Sequence, residues 1–242
     1  MKIYVVGIGP GNIEEMTPRA RKAIESSDVI VGYSLYVDLV RDLCRDKEIL
    51  SSGMRQEVDR CKQVLEQAKS GKTVALLSSG DAGVYGMAGI MLEVCENDPD
   101  ISVEIVPGIT AAMTSGAILG APITHDFAVI SLSDLLTPWE KIEKRLSLAS
   151  EADFVIAIYN PKSIQRQDHL TKAVSLMMAH KDGDTPCGYV RNAGREQEAS
   201  GICKLSELPH MDIDMLTTII VGNSQTRSVN GRLVTPRGYT RK

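Results

Sequence analysis

Short apolar runs alternate with segments of helical period through the first half of the chain. Residues 3–6, 29–31, 74–77 and 103–106 are runs of strand-forming residues, the first three uninterruptedly apolar but for Tyr4, as expected of strands covered on both faces. Between them lie predicted helices. One spans 18–26, with Thr17 as N-cap and Pro18 at the first helical position. A short one spans 36–43. A third spans 55–70, where Val58, Cys61, Val64, Leu65 and Ala68 share one face and Gly71 stops the helix. Residues 84–95 form a fourth, and the small residues of 110–119 a fifth. Strands alternating with helices imply a mainly parallel sheet.

Gly120-Ala121-Pro122 reads as a hinge, and beyond it the pattern changes. Strands are predicted at 127–132, 154–158, 188–191, 199–204 and 218–221, with helices at 138–148 and 168–179. Asn230-Gly231, between strand-like flanks, is the signature of a type I′ hairpin. More strands and fewer helices suggest a mixed sheet. The expected fold class is therefore α/β: two α/β domains, 1–120 and 121–242, with a mainly parallel sheet in the first and a mixed sheet in the second.

Composition narrows the function classes. With 242 residues, 43% hydrophobic and 24% charged, the chain can bury a sizeable core. A net charge of -4 gives no global attraction to nucleic acid or to an anionic membrane. Aromatics at 4% argue against a stacking surface for single-stranded nucleic acid. No window approaches the apolar length of a membrane span, and the apolar start meets Gly7 too soon for a signal peptide. Cys44, Cys61, Cys95, Cys187 and Cys203 form no CxxC pair, and the histidines show no HExxH. A disulfide framework and a metal site are not expected, and a reducing, cytoplasmic setting fits.

Candidate chemistry gathers at strand ends. Gly7-Ile8-Gly9-Pro10-Gly11 follows the first strand, but Asn12 and Gly32-Tyr33 break the dinucleotide fingerprint at two places. Ser70-Gly71-Lys72-Thr73 lacks the earlier glycine of a P-loop and runs from helix to strand, the reverse of that motif. Residues 78–86 (SSGDAGVYG) place Asp81 between two glycines at a strand end, where α/β folds bind ligands; an ordinary capped turn reads equally well. Pro107-Gly108-Ile109-Thr110-Ala111-Ala112 ends another strand. Tyr159-Asn160-Pro161 and Arg191-Asn192-Ala193-Gly194-Arg195 do the same in the second half. Singly, such ends are structural turns; four of them point to one shared ligand cleft.

These blocks resemble, from end to end, the tetrapyrrole (class III) S-adenosylmethionine-dependent methyltransferase family. Residues 7–11, 79–86, 107–111, 159–161 and 218–222 look like its ordered motifs. Residues 31–36 (VGYSLY), 125–139 (HDFAVISLSDLLTPW), 159–163 (YNPKS), 191–196 (RNAGRE) and 234–239 (VTPRGY) resemble the branch acting at carbon 17 of precorrin-3B or its cobalt-bearing counterpart. Ala82 stands where many relatives carry proline. The resemblance implies S-adenosyl-L-methionine bound between the two domains, a tetrapyrrole substrate, ring contraction on the route to cobalamin, and a homodimer. It implies cofactor contacts at Pro10, Gly80, Asp81, Val84, Thr110, Ala111, Asn160, Asn192, Ala193 and Thr218. A carboxylate-bearing substrate calls for local cations, with Lys162, Arg166, Arg191 and Arg195 as candidates. Contraction moves protons, and His125, Asp126, Ser131, Ser133 and Asp134 cluster in the branch-specific block, Asp134 foremost as a general acid or base. Competing readings are methylation of another tetrapyrrole position or a protein side chain, and a non-catalytic α/β ligand-binding protein.

Overall fold

The computed structural model describes residues 1–239, and the chain divides into two compact units, Met1–Ala111 and Ala112–Lys242. The first contains β1 (Lys2–Gly7), α1 (Pro18–Glu25), β2 (Val29–Tyr33), α2 (Ser34–Leu39), β3 (Glu48–Ser52), α3 (Glu57–Lys69), β4 (Val74–Ser78), α4 (Ala88–Val94) and β5 (Ser102–Val106). Its strands form one parallel sheet in the order β3-β2-β4-β1-β5. Alternation along the strands feeds two cores. Ile3, Val5, Val31 and Leu76 pack with Val64 of α3 and Met91 of α4, while Val6, Ile30 and Leu77 pack with Ile24 of α1 and Val37 of α2. Both faces are covered, which is why the central strands read as continuous apolar runs.

Three elements depart from expectation, the first being the short helix expected at 36–43, which runs Ser34–Leu39 and is followed by a separate 3-10 turn at Arg41–Leu43. The edge strand β3 was not foreseen: its sequence EILSS is half polar and half exposed, because only β2 flanks it. Helix α4 starts at Ala88 rather than 84. Tyr85 lies in the left-handed region at φ 53° and interrupts helical backbone, so residues 79–87 remain a loop at the end of β4.

The second unit comprises most of α5 (Ala111–Leu119), then β6 (Gly120–Ala121), β7 (Phe127–Ser131), α6 (Trp139–Glu151), β8 (Val155–Tyr159), α7 (His169–Met177), β9 (Pro186–Arg191), β10 (Ala199–Lys204), β11 (Thr217–Val221), β12 (Arg227–Val229) and β13 (Arg232–Val234). Its main sheet runs β10-β9-β11-β8-β7; β7 and β8 are parallel, and the other pairs are antiparallel. One face packs Ile156, Ile158 and Ile219 against Leu146 of α6 and Leu170 of α7. On the other, Leu119 of α5 joins Val155, Val190 and Ile220. A Cβ on Gly188 would come within 2.6 Å of the Leu119 side chain, so the missing side chain is what seats α5 on β9. Helix α5 therefore groups with the second sheet, whereas the expected boundary near 121 left it with the first.

The stretch 120–122 is pinned rather than a free hinge. Gly120 and Ala121 pair with Leu233 and Val234, and the Thr235 hydroxyl donates to the Pro122 carbonyl at 2.6 Å. The hairpin between β12 and β13 is as expected, with φ of 51° at Asn230 and 74° at Gly231, both left-handed as a type I′ turn requires. Among the described residues no helix is long and apolar enough to cross a membrane.

Candidate functional site

In the first unit, three neighbouring strands, β4, β1 and β5, release their chains at the same sheet edge. The loops there are held together backbone to backbone. Gly9 and Gly80 exchange hydrogen bonds of 3.0 and 2.8 Å. A Cβ on Gly108 would lie 2.2 Å from the Gly80 carbonyl oxygen, and one on Gly7 would lie 2.7 Å from both Gly80 O and Gly108 N. Only glycine permits this approach. The first glycine turn is thus used for packing main chains, which explains why it fails as a nucleotide fingerprint.

The Asp81 carboxylate accepts from the backbone N–H of Gly83 at 2.8 Å and of Gly108 at 2.9 Å. It ties the loop after β4 to the loop after β5. It does not cap α4, which begins seven residues later. Gly80 has φ 65°, and the Cβ it lacks would occupy the space beside Thr110 Cα (3.5 Å) and Ala111 N (3.8 Å). A side-chain-free cradle therefore exists between Gly80 and the Thr110–Ala111 backbone. Pro10 is buried and Val84 half-buried near the same strand ends.

In the second unit, the polar ends of β7 and β8 are joined. Asn160 donates its amide to Ser131 Oγ at 2.9 Å, and Ser131 Oγ also accepts from Ser133 N–H at 3.1 Å. Tyr159 Oη accepts from the Ala112 N–H at 2.7 Å, supporting the first turn of α5. Asn160 and Asn192 both sit in the left-handed region, at φ 51° and 52°. Asparagine tolerates that region best among non-glycine residues. Ala193 and Thr218 are buried, and the Thr218 backbone pairs with Val190.

Asp134 lies at the centre of a network the sequence did not reveal. His169, the first residue of α7, contacts its Oδ2 through Nε2 at 3.1 Å. Arg166 Nε stands 3.8 Å from Oδ1, and Arg166 Nη1 donates to the Leu132 carbonyl at 3.1 Å. Burial pushes the Asp134 carboxyl up, but the His169 hydrogen bond, its own backbone and the nearby cations outweigh this and hold it below the usual carboxylate value. Asp134 is thus ionised at neutral pH, a hydrogen-bond acceptor rather than a stored acid. The His169 ring packs edge-on against Trp139 with centroids 4.5 Å apart, and Trp139 Nε1 donates to Glu143 at 2.6 Å.

The other candidates disperse. His125 and Asp126 are exposed on the approach to β7, where His125 Nδ1 accepts from the Asp126 N–H at 2.8 Å. Arg166 is buried and engaged inside the chain. Arg191 pairs with Asp212 at 3.0 Å. Lys162 is half-buried and has no ion-pair partner among the described residues. Sequence reading also missed Lys181, whose buried ammonium donates to the Phe154 and Gly222 carbonyls at 2.9 and 3.1 Å and faces Asp153 at 3.7 Å. Burial pushes its pKa down, against the pull of Asp153. A lysine on a polar stretch carries no signal of burial. All five thiols are free and buried, and burial pushes each one up, so none is an activated nucleophile. Among the described residues no cluster of ligating side chains could hold a metal.

A parallel and a mixed α/β unit, each with polar or glycine-bared strand ends, is an arrangement that offers backbone and polar groups to a ligand at the strand termini. The family described as Tetrapyrrole (Corrin/Porphyrin) Methylases matches residues 2–209, and the chain belongs to it. A Salmonella typhimurium protein named probable cobalt-factor III C(17)-methyltransferase is 47% identical over 98% of this chain and 99% of its own length. A Priestia megaterium protein named cobalt-factor III methyltransferase is 46% identical over the whole chain, which spans 46% of that longer protein. The crystal structure of the methyltransferase CobJ superposes with a TM-score of 0.91 at 35% identity, covering 97% of this chain and 99% of that one.

Proposed function

We propose that this protein transfers a methyl group from S-adenosyl-L-methionine to carbon 17 of cobalt-factor III, coupled to contraction of the macrocycle in cobalamin biosynthesis. The observation that carries the reading is the near-half identity, over essentially the whole chain, to relatives named for that substrate. The metal-free counterpart, precorrin-3B, is the alternative substrate.

The residues present fit the cofactor. Glycine at 80 keeps the space beside Thr110 and Ala111 free of a side chain, and a Cβ there would fill it. Gly80, Thr110, Ala111, Pro10 and Val84 are the first unit's candidate cofactor contacts, and Asn160, Asn192, Ala193 and Thr218 are the second unit's. When bound, the sulfonium supplies an already electrophilic methyl carbon, so no protein nucleophile is required. Asp81 keeps the two loops of the cradle together through its bonds to Gly83 and Gly108. Asn160 is oriented by Ser131. Asp134, ionised and held by His169 and Arg166, accepts a hydrogen bond or a proton from the substrate side during contraction. The family's homodimer is part of the reading, and the free thiols support a reducing, cytoplasmic setting.

The test is mass spectrometry of products from cobalt-factor III and from precorrin-3B, each incubated with purified protein and S-adenosyl-L-methionine. A mass gain of one methyl group, with S-adenosyl-L-homocysteine formed in equal amount, is expected from the cobalt-loaded substrate. Conversion of precorrin-3B alone would reassign the substrate, and conversion of neither would remove the catalytic reading.

A further inference from the structure

We propose that Arg60 is a positioning residue: from inside the first unit it holds the loop 79–87, on which Gly80 and Asp81 stand, in its working shape. This rests on the methylase reading above, in which that loop meets the cofactor, and names a residue through which the loop is held.

Arg60 breaks the pattern of its own helix. On α3 the apolar face expected from the sequence begins at Val58, yet Val58 is 50% exposed and Arg60 only 4%. Arginine is almost never buried without an anion. Here the guanidinium meets three neutral acceptors and, among the described residues, no carboxylate. Nε donates to Ser52 Oγ at 2.9 Å, Nη2 to the Gly53 carbonyl at 2.7 Å and Nη1 to Met87 Sδ at 3.9 Å. Ser52 ends β3 and Met87 immediately precedes α4. One fork therefore joins the turn after β3 to the far end of the loop after β4.

That loop is constrained along its whole length. Its near end is fixed by the Gly9–Gly80 bonds and by Asp81 on the Gly108 N–H. At the far end, the Met87 N–H donates to Ser78 Oγ at 3.2 Å, and Met87 joins the core of Cys61, Val64 and Met91. In between, the winding is so tight that a Cβ on Gly86 would lie 2.5 Å from the Ala82 carbonyl oxygen. Tyr85 is held at φ 53°, which a bulky residue keeps only where its surroundings impose it.

Stability does not account for the arginine. A buried cation without a counter-charge loses hydration that neutral acceptors restore only in part, and an apolar side chain of similar length is as good or better for the fold. Gly53 is exposed and Ser52 half-buried, so water can serve both acceptors once the guanidinium is gone. A residue that breaks a local rule in this way is expected where function requires it. What the fork adds is a fixed far end for the loop carrying Gly80 and Asp81.

The experiment compares the full chain with Arg60→Met and Arg60→Lys. Thermal unfolding reads stability, hydrogen exchange by mass spectrometry follows residues 79–88, and calorimetry reads S-adenosyl-L-homocysteine binding. Arg60→Met should unfold at or above the temperature of the unaltered protein. It should nevertheless exchange faster through 79–88 and bind S-adenosyl-L-homocysteine about tenfold more weakly. KM for S-adenosyl-L-methionine should rise by the same factor with kcat retained, the mark of lost binding rather than lost chemistry. Arg60→Lys keeps the charge without the fork and should fall between the two. Unaltered exchange and affinity in both variants would overturn the proposal. A markedly destabilised or unfolded Arg60→Met, with Arg60→Lys losing affinity only in step with its unfolding temperature, would make Arg60 a structural residue and equally overturn it. Faster loop exchange in the variants, with no cofactor binding even by the unaltered protein, would count against the methylase reading alone.

Discussion

Replacing Asp81 separates two roles that its sequence position leaves equal. A carboxylate that grips the cofactor directly should be dispensable to the fold. The structure instead gives it two backbone donors, Gly83 N–H at 2.8 Å and Gly108 N–H at 2.9 Å. A hydrogen bond to a charged group contributes about 1.5–3 kcal/mol. The Gly83 bond is exposed, so water can replace it, while the Gly108 bond is partly buried and joins loops distant in sequence. Asp81→Ala should therefore lower stability by about 2 kcal/mol, close to one such bond. Asp81→Asn should cost less, because its one acceptor oxygen can keep the partly buried Gly108 bond while water takes the exposed Gly83 N–H. Urea unfolding followed by circular dichroism measures the loss. Calorimetry with S-adenosyl-L-homocysteine should show affinity falling alongside stability, since the cradle beside Gly80 is built from the loops that Asp81 ties. Undiminished stability with lost affinity would refute the reasoning and restore a direct cofactor contact.

The network around Asp134 makes a second prediction. His169→Ala removes the donor that helps hold the carboxyl low, so the Asp134 pKa should rise, read by carbon-13 NMR titration of that side chain. His169→Gln can place a donor nitrogen where Nε2 stood and should restore much of the depression, which loss of packing against Trp139 alone would not explain. The groups facing Asp134 in this titration are His169 and Arg166. The third concerns acid stability. Burial raises the Asp153 carboxyl, but the Ser224 hydroxyl and N–H together with Lys181 hold it below its ordinary value of 3.8. A carboxyl depressed in the folded state stabilises the fold above 3.8, and that contribution is lost as pH falls from there toward the folded value. Asp153→Asn should therefore flatten the fall in urea midpoint below that pH; an unchanged acid limb would exclude Asp153 from acid unfolding.

Much of the architecture was legible because its strands are central. β1, β2 and β4 are covered on both faces, so solvent imposes no alternation and their runs are plainly apolar. The edge strand β3 was invisible because one flank faces solvent and polar residues are tolerated there. The start of α4 was misjudged because the left-handed backbone at Tyr85 is decided by the surrounding loop, not by any turn residue. The strand ends carrying Gly80, Asn160 and Asn192 stood out as glycine or polar residues directly after apolar runs, and all three adopt left-handed backbone.

By itself, the sequence determined the fold class, the alternation of elements, the Asn230-Gly231 hairpin and the polar character of the strand ends. These are local properties: hydrophobic period, turn chemistry and residue identity at a strand terminus. Tertiary structure alone decided which polar groups meet. Asp134 finds His169 and Arg166 through the parallel pairing of β7 with β8, Asp81 after β4 reaches Gly108 after β5 past the intervening β1, and Lys181 is buried against carbonyls from two other segments. Each contact spans dozens of residues along the chain. Its geometry depends on the order in which strands enter a sheet, and no local pattern encodes that order.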